Sequence, residues 1–139
     1  MIVLDTSVTY ALADRRDARH AEVVAWYERD RPELVTTPLV LAEVDYLIGQ
    51  RLGRGPQASF WADVAAGAYL VDWWPSAAAR IAEVALQWSE LDLGLTDASL
   101  VALADRYETL DIATLDHRHF SAVRSLDGGQ PFRLLPTDA

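Results

Sequence analysis

The chain has 139 residues, 51% of them hydrophobic and 24% charged, and contains no cysteine. That length fits a single domain, 1–139, able to hide roughly 70% of its unfolded surface, and so apolar a composition excludes a disordered chain. The lack of cysteine excludes disulfides, thiolate zinc sites and cysteine nucleophiles, while a net charge of -9 argues against a broad phosphate-neutralising grip on nucleic acid.

Ile2-Val3-Leu4 reads as a first short strand ending at Asp5, with a helix from Thr6 to Ala13. A charged break from Asp14 to Arg19 precedes a helix from Ala21 to Asp30, which keeps Val23, Trp26 and Tyr27 on one side. Leu34 to Thr37 is a second strand, and Pro38 suits the first turn of a helix reaching about Leu52. Gly53 and Gly55-Pro56 punctuate the chain there. A helix from Gln57 to Gly67 and a third strand from Tyr69 to Trp73 follow. Pro75-Ser76 opens a long helix from Ala77 to about Leu91, and after Asp92-Leu93-Gly94 another runs from Thr96 to Tyr107. Asp111 to Leu115 is a fourth strand ending at Asp116, Ser121 to Pro131 is irregular, and Phe132 to Leu135 is a fifth strand.

Short apolar strands alternating with helices predict an α/β layered architecture with a mainly parallel sheet covered on both faces. No run approaches the ~18 apolar residues of a membrane span, and the N-terminus lacks a signal-peptide pattern. A soluble cytoplasmic protein is expected. All 12 bases are arginine, which removes chemistry that needs a lysine, such as that of P-loop NTPases and Schiff-base enzymes.

In parallel sheets, ligands bind beyond the carboxyl ends of the strands. Asp5 and Asp116 both fall at such ends, although each also suits a helix cap or turn. On the helix after Pro38, 3–4 spacing predicts an inward stripe of Leu39, Ala42, Tyr46 and Leu47, with Glu43 in its middle and Asp45 off it. On the helix after Gly94, Asp97 begins the stripe of Leu100, Val101 and Ala104, with Ala98 facing out. An acid in the first turn also suits the helix dipole. Four converging carboxylates repel one another unless neutralised. An all-oxygen set matches Mg²⁺ or Mn²⁺, cations that activate water and hold an in-line phosphoryl displacement. An acidic protein can then act on a polyanion through a bridging cation.

Four segments carry a resemblance: Ile2 to Ser7, Glu43 on its helix, Leu95-Thr96-Asp97-Ala98-Ser99-Leu100, and Ile112 to Phe120. Their order and spacing resemble the PIN-domain ribonucleases, and more closely the VapC-type toxins of bacterial toxin–antitoxin pairs. The resemblance runs from Met1 through Pro136. It implies a PIN-like fold, a five-stranded mainly parallel sheet sandwiched between helices, with the active site at its carboxyl edge. It further implies Mg²⁺- or Mn²⁺-dependent endoribonuclease activity on RNA of the transfer or ribosomal class, a toxin homodimer, and neutralisation by a small VapB-type antitoxin. Asp5, Glu43, Asp97 and Asp116 fall on the family's acidic positions, with Asp5, Asp97 and Asp116 as metal ligands and Ser7 and Thr114 in support. Many relatives carry a further acid where this chain has His117, Arg118 and His119, which leaves one metal or two open.

Arg15, Arg16 and Arg19 with His20 form the densest basic patch, and Arg15, Arg16 and Arg118 are candidate RNA contacts. Trp73 and Trp74 cannot both point inward from one strand, so one of them is expected at the surface. A different class of function, a catalytically silent module whose acids bind a structural cation, predicts the same acids and no cleavage.

Overall fold

The computed structural model describes residues 1–139. Its first half runs β1 (Ile2–Leu4), α1 (Thr6–Ala13), α2 (His20–Asp30), β2 (Leu34–Thr36), α3 (Pro38–Arg51) and α4 (Arg54–Ala65). The second half runs β3 (Leu70–Val71), α5 (Ala77–Gln87), α6 (Leu95–Arg106), β4 (Asp111–Ala113), α7 (His117–Phe120) and β5 (Arg133–Leu135). A 3-10 turn at Ser89–Leu91 leads from α5 towards α6. No helix is long and apolar enough to cross a membrane.

The five strands form one sheet in the order β3-β2-β1-β4-β5, and every pairing is parallel. The chain builds outward from β1 to β2 and β3, then returns to the other side of β1 to place β4 and β5. The strand order therefore reverses between β1 and β4, and the carboxyl ends of those two strands border the crevice where open α/β sheets take their ligands. Asp5 and Asp116 follow β1 and β4, at that crevice.

Register sorts the core into two layers. Val3 pairs with Val35 and Ile112, and Ile112 with Leu134, so these four share one face of the sheet. They pack with Val40, Val44 and Ile48 of α3, Ile81 and Val84 of α5, and Leu100 and Leu103 of α6. Leu4, Ala113 and Leu135 occupy the opposite face, under Val8 and Ala11 of α1 and Val23 and Trp26 of α2. Both faces are covered, as the non-alternating apolar strands predict.

Two helices sit differently from their predicted orientation. On α3 the buried positions are Val40, Val44 and Ile48, while Tyr46 is 63% exposed and Glu43 is exposed. The helix is rotated by about one residue, roughly 100°, from the predicted stripe. The β-branched residues at i, i+4 and i+8 fill the core, and Leu39 and Leu47 lie at its margin. On α6 every residue from Ala98 to Ala104 is buried. Ala98 does not face out, because α6 is surrounded by α3, α5 and the sheet, and no wet side exists for a periodic pattern to mark.

Smaller differences have local causes. The helix α4 starts at Arg54, three positions before the predicted Gln57, because Pro56 lies in the first turn, where its missing N–H is not needed. The long helix predicted from Ala77 ends at Gln87, and the one-turn α7 falls between the fourth strand and the irregular stretch, where no element was expected. Strand β3 stops at Val71, so Trp73 and Trp74 lie just past it; Trp74 is 7% exposed and Trp73 48%.

Candidate active site

Asp5 closes β1 and caps α1, and the capping role does not take it out of the cavity that the other candidate acids line. Its Oδ1 accepts from the Thr6 N–H at 2.7 Å. Its Oδ2 accepts from the Ser7 hydroxyl at 2.9 Å and the Thr114 hydroxyl at 2.6 Å. Ser7 Oγ in turn accepts from the Leu115 N–H at 2.9 Å, and Thr114 Oγ1 from the Asp116 N–H at 3.0 Å. One carboxylate thus ties the end of β1 to the end of β4. Asp5 is only 4% exposed, and burial, against the pull of the two hydroxyls, pushes its carboxyl up to about 6.

Asp97 sits in the first turn of α6, partly exposed. Burial raises its carboxyl above the ordinary value, the His119 hydrogen bond opposes the rise, and the charges of Asp116 and Glu43 add to it. Asp116 caps α7 through a long 3.5 Å contact from the His119 N–H. Helices α3 and α6, which carry Glu43 and Asp97, are fixed to each other by a buried hydroxyl pair. Thr37 Oγ1 lies 2.9 Å from Ser99 Oγ, which donates to the Thr96 carbonyl at 2.6 Å.

Asp5, Ser7, Glu43, Asp97 and Asp116 line one concavity of about 350 Å³. All four acids named from sequence therefore meet, although Glu43 arrives by a different route. It points away from the core and into this cavity because Glu43, Leu47 and Arg51 lie at i, i+4 and i+8 on the face beside the buried stripe. Asp45, expected to be solvated, accepts instead from the Gln57 amide and the Trp61 indole. Arg15, Arg16 and Arg118 are exposed and do not line the cavity. The arginines that do are Arg19 and Arg51. A larger groove of about 680 Å³ beside β2 and β3 is mainly apolar and holds none of the four acids.

His119 is the residue that reading by spacing did not place. Its Nδ1 lies 3.0 Å from Asp97 Oδ2 and 3.5 Å from Asp116 Oδ2. One turn of helix at His117–Phe120 brings it back over the acid that caps that turn. The signals in the sequence are the i, i+3 spacing from Asp116 and its place in the stretch where relatives carry a further acid. Ligand atoms of Asp97, Asp116 and His119 all lie within 4.8 Å of one another. Partners that orient ligand carboxylates typically change metal affinity or activity by ~10–100-fold when removed. His119→Ala is therefore expected to weaken Mn²⁺ binding by about tenfold or more, with the fold retained by circular dichroism. An unchanged Mn²⁺ affinity would remove His119 from the site.

A model of the PIN domain matches residues 2–126. Ribonuclease VapC26 of Mycobacterium tuberculosis (strain ATCC 25618 / H37Rv) is 35% identical over 136 residues, covering 97% of this chain and 100% of that protein. The crystal structure of Mycobacterium tuberculosis VapC20, a sarcin-ricin loop cleaving toxin, aligns with a TM-score of 0.76 at 21% identity. That alignment covers 84% of this chain and 91% of the other, and at such identity it speaks for the fold alone. With a matching domain model over most of its length and a relative over nearly all of it, the chain belongs to the PIN-domain family, among its VapC-type members.

Proposed function

We propose that the chain is a Mg²⁺- or Mn²⁺-dependent endoribonuclease toxin, cleaving RNA of the transfer or ribosomal class and neutralised by a VapB-type antitoxin. The observation that carries this reading is the convergence of Asp5, Glu43, Asp97 and Asp116, from four different elements, on the cavity at the strand-order reversal. The relative of similar length is named a ribonuclease, which favours a hydrolytic site over a silent cation-binding module.

The donor set suits a hard divalent cation. Asp97, Asp116 and His119 offer ligand atoms close together, and the buried Asp5 carboxylate beside them lacks a cationic partner. Asp5, Asp97 and Asp116 would hold the ion. Once bound, such a cation supplies Lewis-acid stabilisation of phosphoryl charge and acidifies a water. Ser7 and Thr114 keep Asp5 Oδ2 fixed, and His119 holds Asp97 beside Asp116. Glu43 is exposed at the cavity wall and makes no ion pair, so it is the carboxylate free to accept a proton from attacking water. Arg15, Arg16 and Arg118 provide exposed cations for more distant RNA phosphates. A homodimer belongs to the same reading, and the exposed Trp73 and Tyr46 are surfaces suited to protein partners.

Mapping RNA 5′ ends after brief expression tests the proposal. New ends at a recurrent site with the native chain, absent with Asp97→Asn, support it and reveal the RNA class. The same ends with both proteins, or none with either, count against it.

A further inference from the structure

We infer that Arg51 is a phosphate-binding residue of this cavity, holding an RNA phosphate next to the scissile one; the inference rests on the ribonuclease reading and deepens it. Arg51 ends α3 and shares a helix face with Glu43 and Leu47, and all three line the cavity that holds Asp5, Asp97 and Asp116.

Its guanidinium is held in place by something other than an acid. The Arg51 guanidinium carbon lies 5.0 Å from the Tyr10 ring centroid. Tyr10 is buried, and its hydroxyl donates to Asp14 at 2.7 Å, so the ring beneath the guanidinium is fixed at both ends. Stacking of this kind orients a guanidinium and leaves its N–H fork unspent.

No acid engages the fork, although the Tyr10 hydroxyl lies close to it. Five acids, Asp5, Asp17, Glu43, Asp97 and Asp116, line the same cavity, yet Arg51 makes no ion pair with any of them. Arg19, the other cation in the wall, is already engaged with Glu22 through two contacts of 2.6 and 3.0 Å. Arg51 is thus the one positioned cation of this cavity that no acid holds.

Chemistry supplies the occupant. A guanidinium fork matches phosphate oxygens in a bidentate way. A strand crossing the cavity presents a phosphate on each nucleotide, and cations held by the acids serve the scissile one. The neighbouring phosphate meets a wall of carboxylates unless a fixed positive group stands there. Arg51 is that group, and it explains how a chain of net charge -9 admits a polyanion beyond the point of cleavage.

The test measures binding of a short fluorescein-labelled single-stranded RNA of mixed sequence in Mg²⁺ across a salt series. The parent is Asp97→Asn, so that the RNA stays intact, and Arg51→Gln, Arg51→Lys and Arg54→Gln are added to it. Arg54 is a fair control because it stacks at 5.5 Å over Trp61 and does not line the cavity. Arg51→Gln should bind roughly tenfold more weakly at low salt and flatten the slope of log affinity against log salt by about 0.7. Arg51→Lys should recover the slope but only part of the affinity, and Arg54→Gln should keep the parent slope. In the cleaving enzyme, Arg51→Gln should raise KM while changing kcat by less than about twofold. An unchanged slope for Arg51→Gln, or equal flattening by Arg54→Gln, overturns the assignment of Arg51 alone when the native chain cleaves RNA. Failure of the native chain to cleave RNA in either cation overturns both readings.

Discussion

Replacing Asp97 by Asn should lower metal-dependent RNA cleavage by roughly two to three orders of magnitude, the scale of losing one preorganised electrostatic group at a reacting phosphate. The substitution keeps shape and the acceptor that faces His119, so the 3.0 Å contact from the imidazole survives. What it removes is the charge that Asp97 maintains against partial burial and against the neighbouring Asp116 and Glu43. The fold should be retained, because Asp97 carries no capping or ladder hydrogen bond and the buried run behind it starts at Ala98. Parallel cleavage assays of native and variant protein, each free of contaminating nuclease, provide the check. Undiminished cleavage by the variant rules Asp97 out of the chemistry.

Asp5→Asn should couple a similar loss of cleavage to a gain in stability. The folded-state carboxyl is pushed up to about 6 from an ordinary 3.8, so folding favours its protonated form. The stabilisation linked to that proton is fully present below pH 4 and is lost as pH rises through about 6. At pH 7 the native chain without cations holds a buried charge whose penalty is about 3 kcal/mol, taking ~1.4 kcal/mol for each pH unit of displacement. Asn retains the acceptor for the Thr6 N–H, but its amide must donate to Ser7 and Thr114, whose hydroxyls already accept from Leu115 and Asp116. That crowding reduces the expected gain to about 1–3 kcal/mol. Denaturant melts at pH 4.5 and 7 without cations should show a clearly larger advantage of the variant at the higher pH, the window set by the rise to about 6. A variant less stable than the native chain at pH 7 shows instead that the hydroxyls fully compensate the charge.

The parts of the site that were legible in sequence are those anchored by chain direction. Asp5 and Asp116 stand directly after β1 and β4, and a parallel sheet gathers its strand ends on one side whatever the helix orientation. Glu43 does line the cavity with the other three acids, but not for the reason expected. The apolar spacing of α3 admits two readings one residue apart, and only the β-branched Val40, Val44 and Ile48 fill the space over Val3 and Val35. Asp97 was inferred from an amphipathic pattern on a helix that has no wet side along Ala98–Ala104. His119, named only among three residues standing where relatives carry a further acid, and Arg51, not named at all, take roles that depend on rotation about an axis: a one-turn helix for His119, and the rotation of α3 that brings Arg51 over Tyr10. The roles of Ser7 and Thr114 came from the family resemblance, and their shared hold on Asp5 Oδ2 depends on the β1–β4 pairing. Strands two or three residues long carry too little pattern to fix their ends, which is why Trp73 was read inside β3 and lies beyond it.

The opening charge balance now reads locally. Some surface acids are paired with arginine, as in Arg106 with Asp72 and Arg133 with Asp111. The four candidate acids instead line one cavity at the switch point of the sheet. Titration of purified, chelator-stripped protein with Mn²⁺, read by electron paramagnetic resonance, tests directly whether those acids form a cation site. Saturable binding that Mg²⁺ displaces, weakened about tenfold or more in Asp97→Asn, is the predicted result. Absence of saturable binding, or equal affinity in the two proteins, would contradict it.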